Sequence, residues 1–458
     1  MGAADRNRAV SAAGSGSPDP VRDDELDALL SPLVDFPLVI LAVSGGADST
    51  AMMHLASRWM QRRARGDVTP AIMVASVDHG LRASSGAEAE WVIGEARKLD
   101  FEARLLEWSG DKPLTGIQDA ARTARYRLLA DLARSYGGED PVAVVTAHTE
   151  DDQAETLLMR LARGSGLDGL AAMAPARALD DEGKVVLLRP LLGVAGARLR
   201  ATLRAAGAQW IEDPSNEADR FERVRIRKAA AVLSDLGFAN DRLALSARRL
   251  ARARDAVEYA LAGLEERVHL DLHSGAFASF TCREWNIAPA ELRLRLLGRL
   301  IASYGGEADP VRLAQLEALD ARMLEMAFEG ATLGGAVVSR HGESIRVWRE
   351  MGRDGPQELK LQPGMAAVWD RRFRVRLSAD GGAPVEVRAL GLAAFSELRQ
   401  RADRKPWPNP AVPAAAAAGL PAFWQGEKLL TVPYFVGFQD APAHWRDTAG
   451  LYSAEFLG

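Results

Sequence analysis

Hydrophobic and polar positions follow two alternating periods in the first third of the chain. Four short apolar runs lie at residues 37–43, 71–77, 101–108 and 141–147. Apolar residues recur at the three- and four-residue spacing of amphipathic helices at 49–64, 86–99, 117–137 and 150–164. Strands that alternate with helices are typical of parallel βαβ units, in which helices cover both faces of one sheet. The pattern therefore predicts an α/β domain built on a parallel sheet.

The rest of the chain changes character twice. Arginine becomes frequent from Arg189 to Arg254, and the stretch 229–329 keeps a mostly helical periodicity. From about Thr332, short alternating runs broken by Gly and Pro predict small antiparallel β structure. We therefore expect four segments, which are a disordered leader at 1–22, the α/β domain at 23–228, a mainly helical domain at 229–350 and a small β-rich domain at 351–458.

Composition narrows the class of protein. The chain has 458 residues, a net charge of −5 and one cysteine, Cys282. A slightly negative net charge does not by itself indicate a nucleic-acid-binding protein. A single cysteine excludes a disulfide framework within the chain and fits a reducing compartment. Because no apolar run approaches the ~20 residues of a membrane span and no signal-peptide core is present, we expect a cytoplasmic protein without membrane association.

The turn after the first apolar run carries the strongest chemical signal. It consists of Ser44, Gly45, Gly46, Ala47, Asp48 and Ser49. Glycines let a phosphate approach the backbone N–H groups, and the helix N-terminus that follows attracts anions. A carboxylate beside phosphates needs a cation between them, so we interpret Asp48 as a ligand of Mg²⁺ on a bound polyphosphate. The alternative is a plain strand-to-helix turn in which Ser or Asp caps the helix.

A second group of polar residues follows the fourth apolar run. His148, Asp151, Asp152 and Glu155 have the i, i+3, i+4, i+7 spacing that gathers side chains near one helix face. Carboxylates there can bind an ammonium group and hold Mg²⁺, with Asp152 as the second metal ligand. A carboxylate or the imidazole could accept a proton during catalysis, and the sequence leaves that choice open. Thr149 with Asp152 also fits a capping box, so capping is the alternative for one or two of these acids.

The sequence Ser-Gly-Gly-Ala-Asp-Ser resembles the Ser-Gly-Gly-x-Asp-Ser signature of the PP-loop ATP pyrophosphatases. Members of this superfamily split ATP between the α and β phosphates and adenylate an oxygen of their substrate. The resemblance implies a Rossmann-like PP-loop catalytic domain that uses ATP. Arg122 and Arg125 match the Ala-Arg-x-x-Arg-Tyr segment, which implies that they neutralise the adenylate and the leaving pyrophosphate. Solvated helix arginines are the alternative.

Three longer stretches resemble one family of that superfamily, the tRNA(Ile)-lysidine synthetases. Residues 77–85 resemble its His-Gly-Leu-Arg segment, 146–173 its Thr-Ala-His-x-x-Asp-Asp-Gln-x-Glu-Thr block, and 210–227 its Asp-Pro-Ser-Asn segment. The resemblance implies ligation of L-lysine to C2 of the wobble cytidine in tRNA(Ile) with a CAU anticodon, and C-terminal domains that hold the tRNA. The matching positions implied to contact substrate or tRNA are His79, Arg82, Arg163, Gly164, Ser165, Gly166, Arg223, Arg225 and Arg227.

The chain departs from the family pattern at Asp78, Thr149 and Val224, where the family often has His, His and Asn. Two alternatives therefore stay open, a catalytically silent tRNA-binding paralogue and a PP-loop tRNA thiolase. The retained acids argue against the first. Thiolases with persulfide or iron–sulfur chemistry need cysteines near the site, and Cys282 lies in another predicted domain. A homodimer is one open alternative for the assembly.

Overall fold

The computed structural model describes residues 18–63, 69–82, 84–110, 112–113, 115–138, 140–180, 182–212, 222–352, 355–401, 412–436, 442, 445 and 450–458. The chain forms two compact units, Met1–Asp255 and Ala256–Gly458. Most of the predicted disordered leader lies outside the described residues, and the first helix begins at Asp23. None of the helices in the described ranges is long and apolar enough to cross a membrane.

A six-stranded sheet forms the centre of the first unit. Its strands are Leu38–Ala42 (β1), Ala71–Asp78 (β2), Glu102–Glu107 (β3), Val142–Val145 (β4), Ala176–Ala178 (β5) and Val185–Leu188 (β6). The strand order is β3-β2-β1-β4-β6-β5, and neighbours run parallel except at the β5–β6 edge. The four predicted apolar runs thus correspond to the four adjoining parallel strands β1 to β4, of which β3 is at the edge of the sheet.

Helices cover both faces of this sheet. The helices along this part of the chain are Asp23–Leu30 (α1), Ala47–Arg62 (α2), Ser85–Lys98 (α3), Ile117–Gly137 (α4), Glu150–Ala162 (α5), Leu167–Leu170 (α6), Gly196–Ala205 (α7), Glu222–Asp235 (α8) and Asn240–Arg267 (α9), and those that pack on the sheet are α1, α2, α3 and α7 on one face and α4 on the other. Successive strand residues point to opposite faces. Val39 and Leu41 therefore pack in the core formed with α1, α2, α3 and α7, whereas Ile40 packs in the core formed with α4.

The strand order reverses at β1, which places two predicted motifs together. β2 and β3 lie on one side of β1, whereas β4 and β6 lie on the other. Ligands of open α/β sheets bind in the crevice that such a reversal opens beyond the carboxyl ends of the strands. Residues 44–49 follow β1 and His148 follows β4, so both motifs lie at this crevice.

The second unit combines helices with antiparallel sheets. Its helices after α9 are Cys282–Ile287 (α10), Ala290–Gly305 (α11), Leu313–Met323 (α12), Leu392–Arg401 (α13), Ala414–Ala418 (α14) and Pro433–Val436 (α15). Its strands are Ala278–Thr281 (β7), Gly330–Leu333 (β8), Ala336–His341 (β9), Ser344–Arg349 (β10), Leu359–Leu361 (β11), Ala366–Trp369 (β12), Phe373–Leu377 (β13), Val385–Ala389 (β14), Pro421–Gln425 (β15), Lys428–Thr431 (β16) and Tyr452–Phe456 (β17). They form the sheets β7-β10-β9-β8, β11-β14-β15-β16 and β12-β13-β17.

Two hydrophobic cores lie within the second unit. One joins α10, α11 and α12 to the sheet that contains β9 and β10. The other joins the remaining two sheets to α13, α14 and α15. Cys282 is buried in the first of these cores.

The predicted fold class is confirmed, with a parallel-sheet domain first, helices in the middle and antiparallel sheets toward the C-terminus. The boundary between the two units falls within α9, so α8 belongs to the first unit. Strands β7 to β10 lie within the stretch predicted to be mainly helical. The assignment of separate functions to segments ending at 228 and 350 stays a prediction.

Candidate active site

The turn between β1 and α2 leaves the start of the helix without a side-chain cap. Gly46 is the N-cap residue, and no side chain in this described turn caps α2. Ser49 Oγ donates to the Gly46 carbonyl at 3.0 Å, accepts from the Ser44 N–H at 3.2 Å and lies 3.2 Å from Ser44 Oγ. The two hydroxyls therefore lie together beside first-turn N–H groups that are suited to an anion.

Gly45 gives the turn its shape. Its φ is +87°, a conformation that residues with a side chain rarely adopt. A Cβ at this position would lie 2.7 Å from Ile211 Cδ1. The Gly45 carbonyl accepts from the Ile211 N–H at 2.9 Å and from Thr50 Oγ1 at 3.0 Å. Only glycine fits here, because the segment at Ile211 is packed directly against the turn.

Asp48 has a carboxylate oxygen with no hydrogen-bond partner among the residues that the structure describes. Its Oδ1 is buried and accepts no hydrogen bond from the described residues. Burial is the main reason why the pKa of Asp48 is raised to about 6, and the negative charges of Asp152 and Asp151 add to the rise. Arg200 and Arg227 oppose it. Buried polar atoms normally have a partner, so this oxygen is available to a donor or cation from outside the described residues.

Asp151 is held by two donors from later parts of the chain. Its Oδ2 accepts from the Gly196 N–H at 2.9 Å, and its Oδ1 accepts from Asn240 Nδ2 at 2.7 Å. A Cβ on Gly196 would lie 2.9 Å from Asp151 Oδ2 and 3.4 Å from Asp48 Oδ1. The first residue of α7 therefore lies close to both carboxylates.

The start of α5 contains the capping box that the sequence offered as an alternative. Thr149 is the N-cap residue, and its Oγ1 accepts from the Asp152 N–H at 3.4 Å. Asp152 Oδ2 accepts from the Thr149 N–H at 2.9 Å and from Thr149 Oγ1 at 3.0 Å. Oδ1 of Asp152 makes a longer ion-pair contact of 3.8 Å with Arg227 Nη2. Capping thus engages one oxygen of Asp152 and leaves the other to the longer contact with Arg227.

Glu155 forms a two-point ion pair with Arg227. Nε of the arginine donates to Oε1 at 2.5 Å, and Nη2 donates to Oε2 at 3.2 Å. Burial lowers the pKa of Arg227, but the hydrogen bond from Glu155 and the charges of Glu155, Asp152 and Asp48 outweigh it and raise the value overall. The guanidinium therefore stays charged beside three carboxylates.

His148 is a neutral imidazole within the crevice. Its Nδ1 lies 2.9 Å from Thr146 Oγ1, and its Nε2 has no hydrogen-bond partner among the described residues. Burial is the main reason why the pKa of His148 is lowered to about 4. The charges of Arg189, Arg125 and Arg122 lower the pKa further, whereas Asp152 raises it. The ring is uncharged at pH 7.

Arg122 and Arg125 lie on the His148 side of the crevice and flank the ring of Tyr126. The guanidinium carbon of each is 5.2 Å from the ring centroid. Arg177 reaches the same ring at 5.0 Å. Burial raises the pKa of Tyr126, but the positive charges of four arginines outweigh that effect and lower the value overall.

His79 lies after β2, at the next strand end. Its ring meets Trp108 edge-on, with centroids 6.0 Å apart. Burial, together with the charge of Arg125, lowers the pKa of His79 despite the opposite effect of Asp78. Asp78 Oδ1 accepts from Ser85 Oγ at 2.6 Å and from the Gly80 N–H at 2.7 Å. Asp78, where the family often has His, therefore stabilises the turn after β2 through these two hydrogen bonds.

The remaining predicted positions have simpler surroundings. Arg82 forms a 2.9 Å ion pair with Glu88. Arg163 is the exposed C-cap of α5. The next residue, Gly164, has a left-handed backbone conformation with a φ of +66°. Ser165 donates its N–H to the Arg160 carbonyl, and Gly166 is the N-cap of α6. Arg225 is exposed on α8. The side chains of Arg223 and Val224 and the segment 213–221 lie outside the described residues.

The donor set fits Mg²⁺ only if other ligands complete the shell. In the described part of the chain, no three His, Cys, Asp or Glu side chains gather into a metal site. Mg²⁺ in nucleotide sites takes one or two carboxylates, and phosphate and water oxygens supply the rest. The unpartnered Oδ1 of Asp48 and the loosely paired Oδ1 of Asp152 meet this smaller requirement.

Several residues at the site were not predicted. They are Arg200 near Asp48, Gly196 and Asn240 on Asp151, and Tyr126, Arg177 and Arg189 near His148. Arg189 directly follows β6. Because ligands bind beyond the carboxyl ends of parallel strands, this position could have identified Arg189 as a site residue. The others carry no local sequence signal.

Known proteins share the sequence over most of the chain. Residues 19–233 match the PP-loop domain family. A tRNA(Ile)-lysidine synthase from Bradyrhizobium sp. (strain BTAi1) is 43% identical over 347 residues, which cover 72% of this chain and 94% of that protein. The tRNA(Ile)-lysidine synthase from Ruegeria pomeroyi is 40% identical over 397 residues, covering 86% of this chain and 87% of that protein.

A third relative and one solved structure extend the comparison. The tRNA(Ile)-lysidine synthase from Rhodopseudomonas palustris is 45% identical over 320 residues, covering 68% of this chain and 89% of that protein. A U34-tRNA thiolase from Methanococcus maripaludis reaches a TM-score of 0.41 at 15% identity, covering 50% of this chain and 78% of that chain. From its identity with the three lysidine synthases, this chain belongs to the tRNA(Ile)-lysidine synthase family and carries an ATP-binding PP-loop domain.

Proposed function

We propose that this protein is an ATP-dependent carbon–nitrogen ligase. It joins L-lysine to C2 of the wobble cytidine in tRNA(Ile) with a CAU anticodon and releases AMP and pyrophosphate. Membership of the tRNA(Ile)-lysidine synthase family supports the substrate assignment. The observation that carries the chemistry is the meeting of the uncapped α2 turn with Asp48, Asp151 and Asp152 at the strand reversal.

The reaction has two bond exchanges. Cytidine O2 attacks the α phosphorus of ATP, and the bond to the β phosphate breaks as pyrophosphate leaves. The ε-nitrogen of lysine then attacks C2, the C2–O2 bond breaks, and AMP leaves with that oxygen. The N–H groups at the start of α2 and the hydroxyls of Ser44 and Ser49 bind phosphate oxygens. Arg122 and Arg125 favour the negative charge that develops.

Asp48 and Asp152 would hold Mg²⁺ at the phosphates. A bound Mg²⁺ offsets the repulsion between these carboxylates and the phosphate oxygens. Burial is the main cause of the raised pKa of Asp48, about 6, and the charges of Asp152 and Asp151 add to it, so a cation bound here would lower that pKa.

The lysine ε-amine must lose a proton before it can attack. Two features of the crevice bear on that proton. His148 is neutral, and its Nε2 is without a partner in the described residues, so it can accept a hydrogen bond from the amine, whereas its pKa of about 4 makes it a weak base. Each oxygen of Asp151 already accepts one hydrogen bond, from Gly196 or Asn240, so this carboxylate is suited to a positioning role.

The experiment is AMP release from ATP with and without lysine, on the isoleucine or the methionine CAU tRNA. We expect lysine-dependent AMP on the isoleucine tRNA alone, with activity lost in Asp48→Asn. The control is Asp131→Asn, which removes an exposed carboxylate that pairs with Arg134 on α4. AMP formed without lysine or tRNA would leave an ATP pyrophosphatase with another substrate. Release of no AMP under any condition would favour a binding protein and overturn the proposal.

A further inference from the structure

Four guanidinium groups gather around Tyr126 on the α4 side of the sheet. Arg122 and Arg125 come from the same helix, and their guanidinium carbons are 5.2 Å from the ring centroid. Arg177 comes from β5 at 5.0 Å. Arg189, which follows β6, is close enough for its charge to lower the pKa of Tyr126. We call these four arginines the Tyr126 cluster.

For three members of the Tyr126 cluster, the described part of the chain supplies no carboxylate in ion-pair distance. Within the described residues, Arg122, Arg177 and Arg189 form no ion pair with a carboxylate. Arg189 is only 4% exposed, donates from Nη1 to the Ala174 carbonyl at 2.6 Å and has no acceptor for its Nε. Like charges held together in a region of low dielectric destabilise one another unless an anion lies among them.

The cluster and the PP-loop turn lie over different faces of the sheet. Tyr126 belongs to the core between α4 and the sheet, whereas α2 and α7 pack on the opposite face. Asp48, whose pKa responds to Asp152, Arg200 and Asp151, belongs to the α2 side. Phosphates bound at the start of α2 would therefore leave Arg177, on the edge strand β5, available for a different anion.

The exposed members of the cluster indicate what kind of anion this is. Arg122 and Arg177 are exposed, whereas Arg189 is buried beneath them. A site that opens to solvent admits a polymer backbone, and the planar guanidinium fork matches phosphate oxygens. Arg189, Arg125 and Arg122 lie close enough to His148 for their charges to lower its pKa, so a phosphodiester bound at the cluster would lie near this predicted catalytic residue.

We propose that the Arg177 side of the Tyr126 cluster, with Arg189 buried below it, binds a backbone phosphodiester of the RNA substrate, while Arg122 and Arg125 act on the charge that develops on the adenylate. Arg177 is its outer contact, and Arg189 is a buried positioning residue that holds the cluster through the Ala174 carbonyl. The inference rests on the proposed function for the identity of the RNA. It assigns to Arg177, Arg189 and Tyr126 a role in binding that is separate from the phosphates of ATP.

The test measures the affinity of the full chain for the isoleucine CAU tRNA over a range of salt concentrations. Arg177→Gln removes one outer contact, and Arg127→Gln removes an exposed arginine on α4 that lies outside the cluster. We expect Arg177→Gln to weaken binding about tenfold and to reduce the slope of log K against log salt by about one. Arg127→Gln should change neither, and ATP affinity should stay within about twofold in both variants.

A charge-preserving variant separates charge from fold. Arg177→Lys should keep most of the salt slope, because it retains the positive charge. An unchanged slope in Arg177→Gln would overturn the inference, as would a loss of ATP affinity with tRNA affinity intact, which would assign the cluster to the phosphates of ATP. Failure of the proposed function can be distinguished from failure of this inference. In that case the unaltered chain would release no lysine-dependent AMP, regardless of the salt dependence of tRNA binding.

Discussion

Arg227 on α8 holds Glu155 on α5 through two parallel hydrogen bonds, at 2.5 and 3.2 Å. The glutamate side chain is 6% exposed, whereas the arginine side chain is 47% exposed. A buried carboxylate stays ionised only if a partner compensates for lost hydration. The pair therefore joins the helix that carries the predicted catalytic acids to the basic helix predicted to contact tRNA.

Removing the arginine of this pair should destabilise the first unit. Arg227→Gln leaves the buried Glu155 carboxylate without a counter-charge, and we expect a loss of about 1–3 kcal/mol. Thermal unfolding of the full chain would show this as a lower midpoint, by about 2–4 °C per kcal/mol. Arg225→Gln, on the same helix and exposed, should leave the midpoint unchanged. Equal midpoints for the two variants would contradict a stabilising role for the pair.

The two glycines of the PP-loop turn should differ in their tolerance of alanine. Gly45→Ala places a side chain at a φ of +87° and against Ile211, so we expect a cost of about 1–3 kcal/mol and at least a tenfold loss of ATP affinity. Gly46 has a φ of −66°, and a Cβ added there would have Ser44 Oγ as its nearest neighbour, at 3.8 Å.

Gly46→Ala is therefore the matched control and should fold with a near-normal midpoint. Adding Ile211→Ala to Gly45→Ala removes the contact but not the strained φ, so it should restore only part of the lost stability. Calorimetry of unfolding and of ATP binding measures both effects. Similar behaviour of Gly45→Ala and Gly46→Ala would show that the turn is not constrained as described.

The cap of α5 should contribute to stability through its hydroxyl. Thr149→Ala removes the acceptor for the Asp152 N–H and one donor to Asp152 Oδ2, at an expected cost of about 1 kcal/mol. Thr149→Ser keeps the oxygen and should cost only a few tenths of a kcal/mol. Urea unfolding of both variants gives the difference. If Ala and Ser unfold at the same denaturant concentration, the capping box contributes nothing measurable.

The neutral state of His148 should make stability depend on pH. Its pKa is about 4 in the folded chain, against about 6.5 when unfolded. Because the unfolded chain binds more protons between these values, the free energy of unfolding falls as the pH falls from 6.5 to 4. Between pH 7 and pH 5, the unaltered chain should lose about 2 kcal/mol more than His148→Asn.

Imidazole resonances from selectively labelled histidine measure that pKa directly, without added magnesium. His148→Asn identifies the resonance by its disappearance. A titration midpoint near 6.5 would mean that burial does not keep the ring neutral, and the extra loss at pH 5 would then be absent.

Local patterns were enough to predict the first sheet and its crevice. The apolar runs at 37–43, 71–77 and 141–147 became β1, β2 and β4 within a few residues, because buried parallel strands are continuously apolar. The spacing of Thr149 and Asp152 also predicted a capping box that the structure contains. Both signals depend on residues that are neighbours in sequence.

Contacts between distant segments were not predictable in the same way. Asp151 meets Gly196 and Asn240 across 45 and 89 residues, and Glu155 meets Arg227 across 72. No periodicity specifies which arginine of a basic stretch turns inward, since that depends on how α8 packs against α5. The same holds for Arg177, whose short edge strand β5 was not anticipated. The roles assigned to the individual site residues remain predictions.

The hydrogen bond from the Ile211 N–H to the Gly45 carbonyl has a consequence for shortened forms of the protein. The signature motif is complete by Ser49, yet one wall of its turn is supplied by a residue that follows α7, far along the chain. A fragment that stops before Ile211 would retain every letter by which the motif is identified. It would lack the residue that donates a hydrogen bond to the Gly45 carbonyl. Such a fragment would therefore contain the motif without a functional nucleotide site.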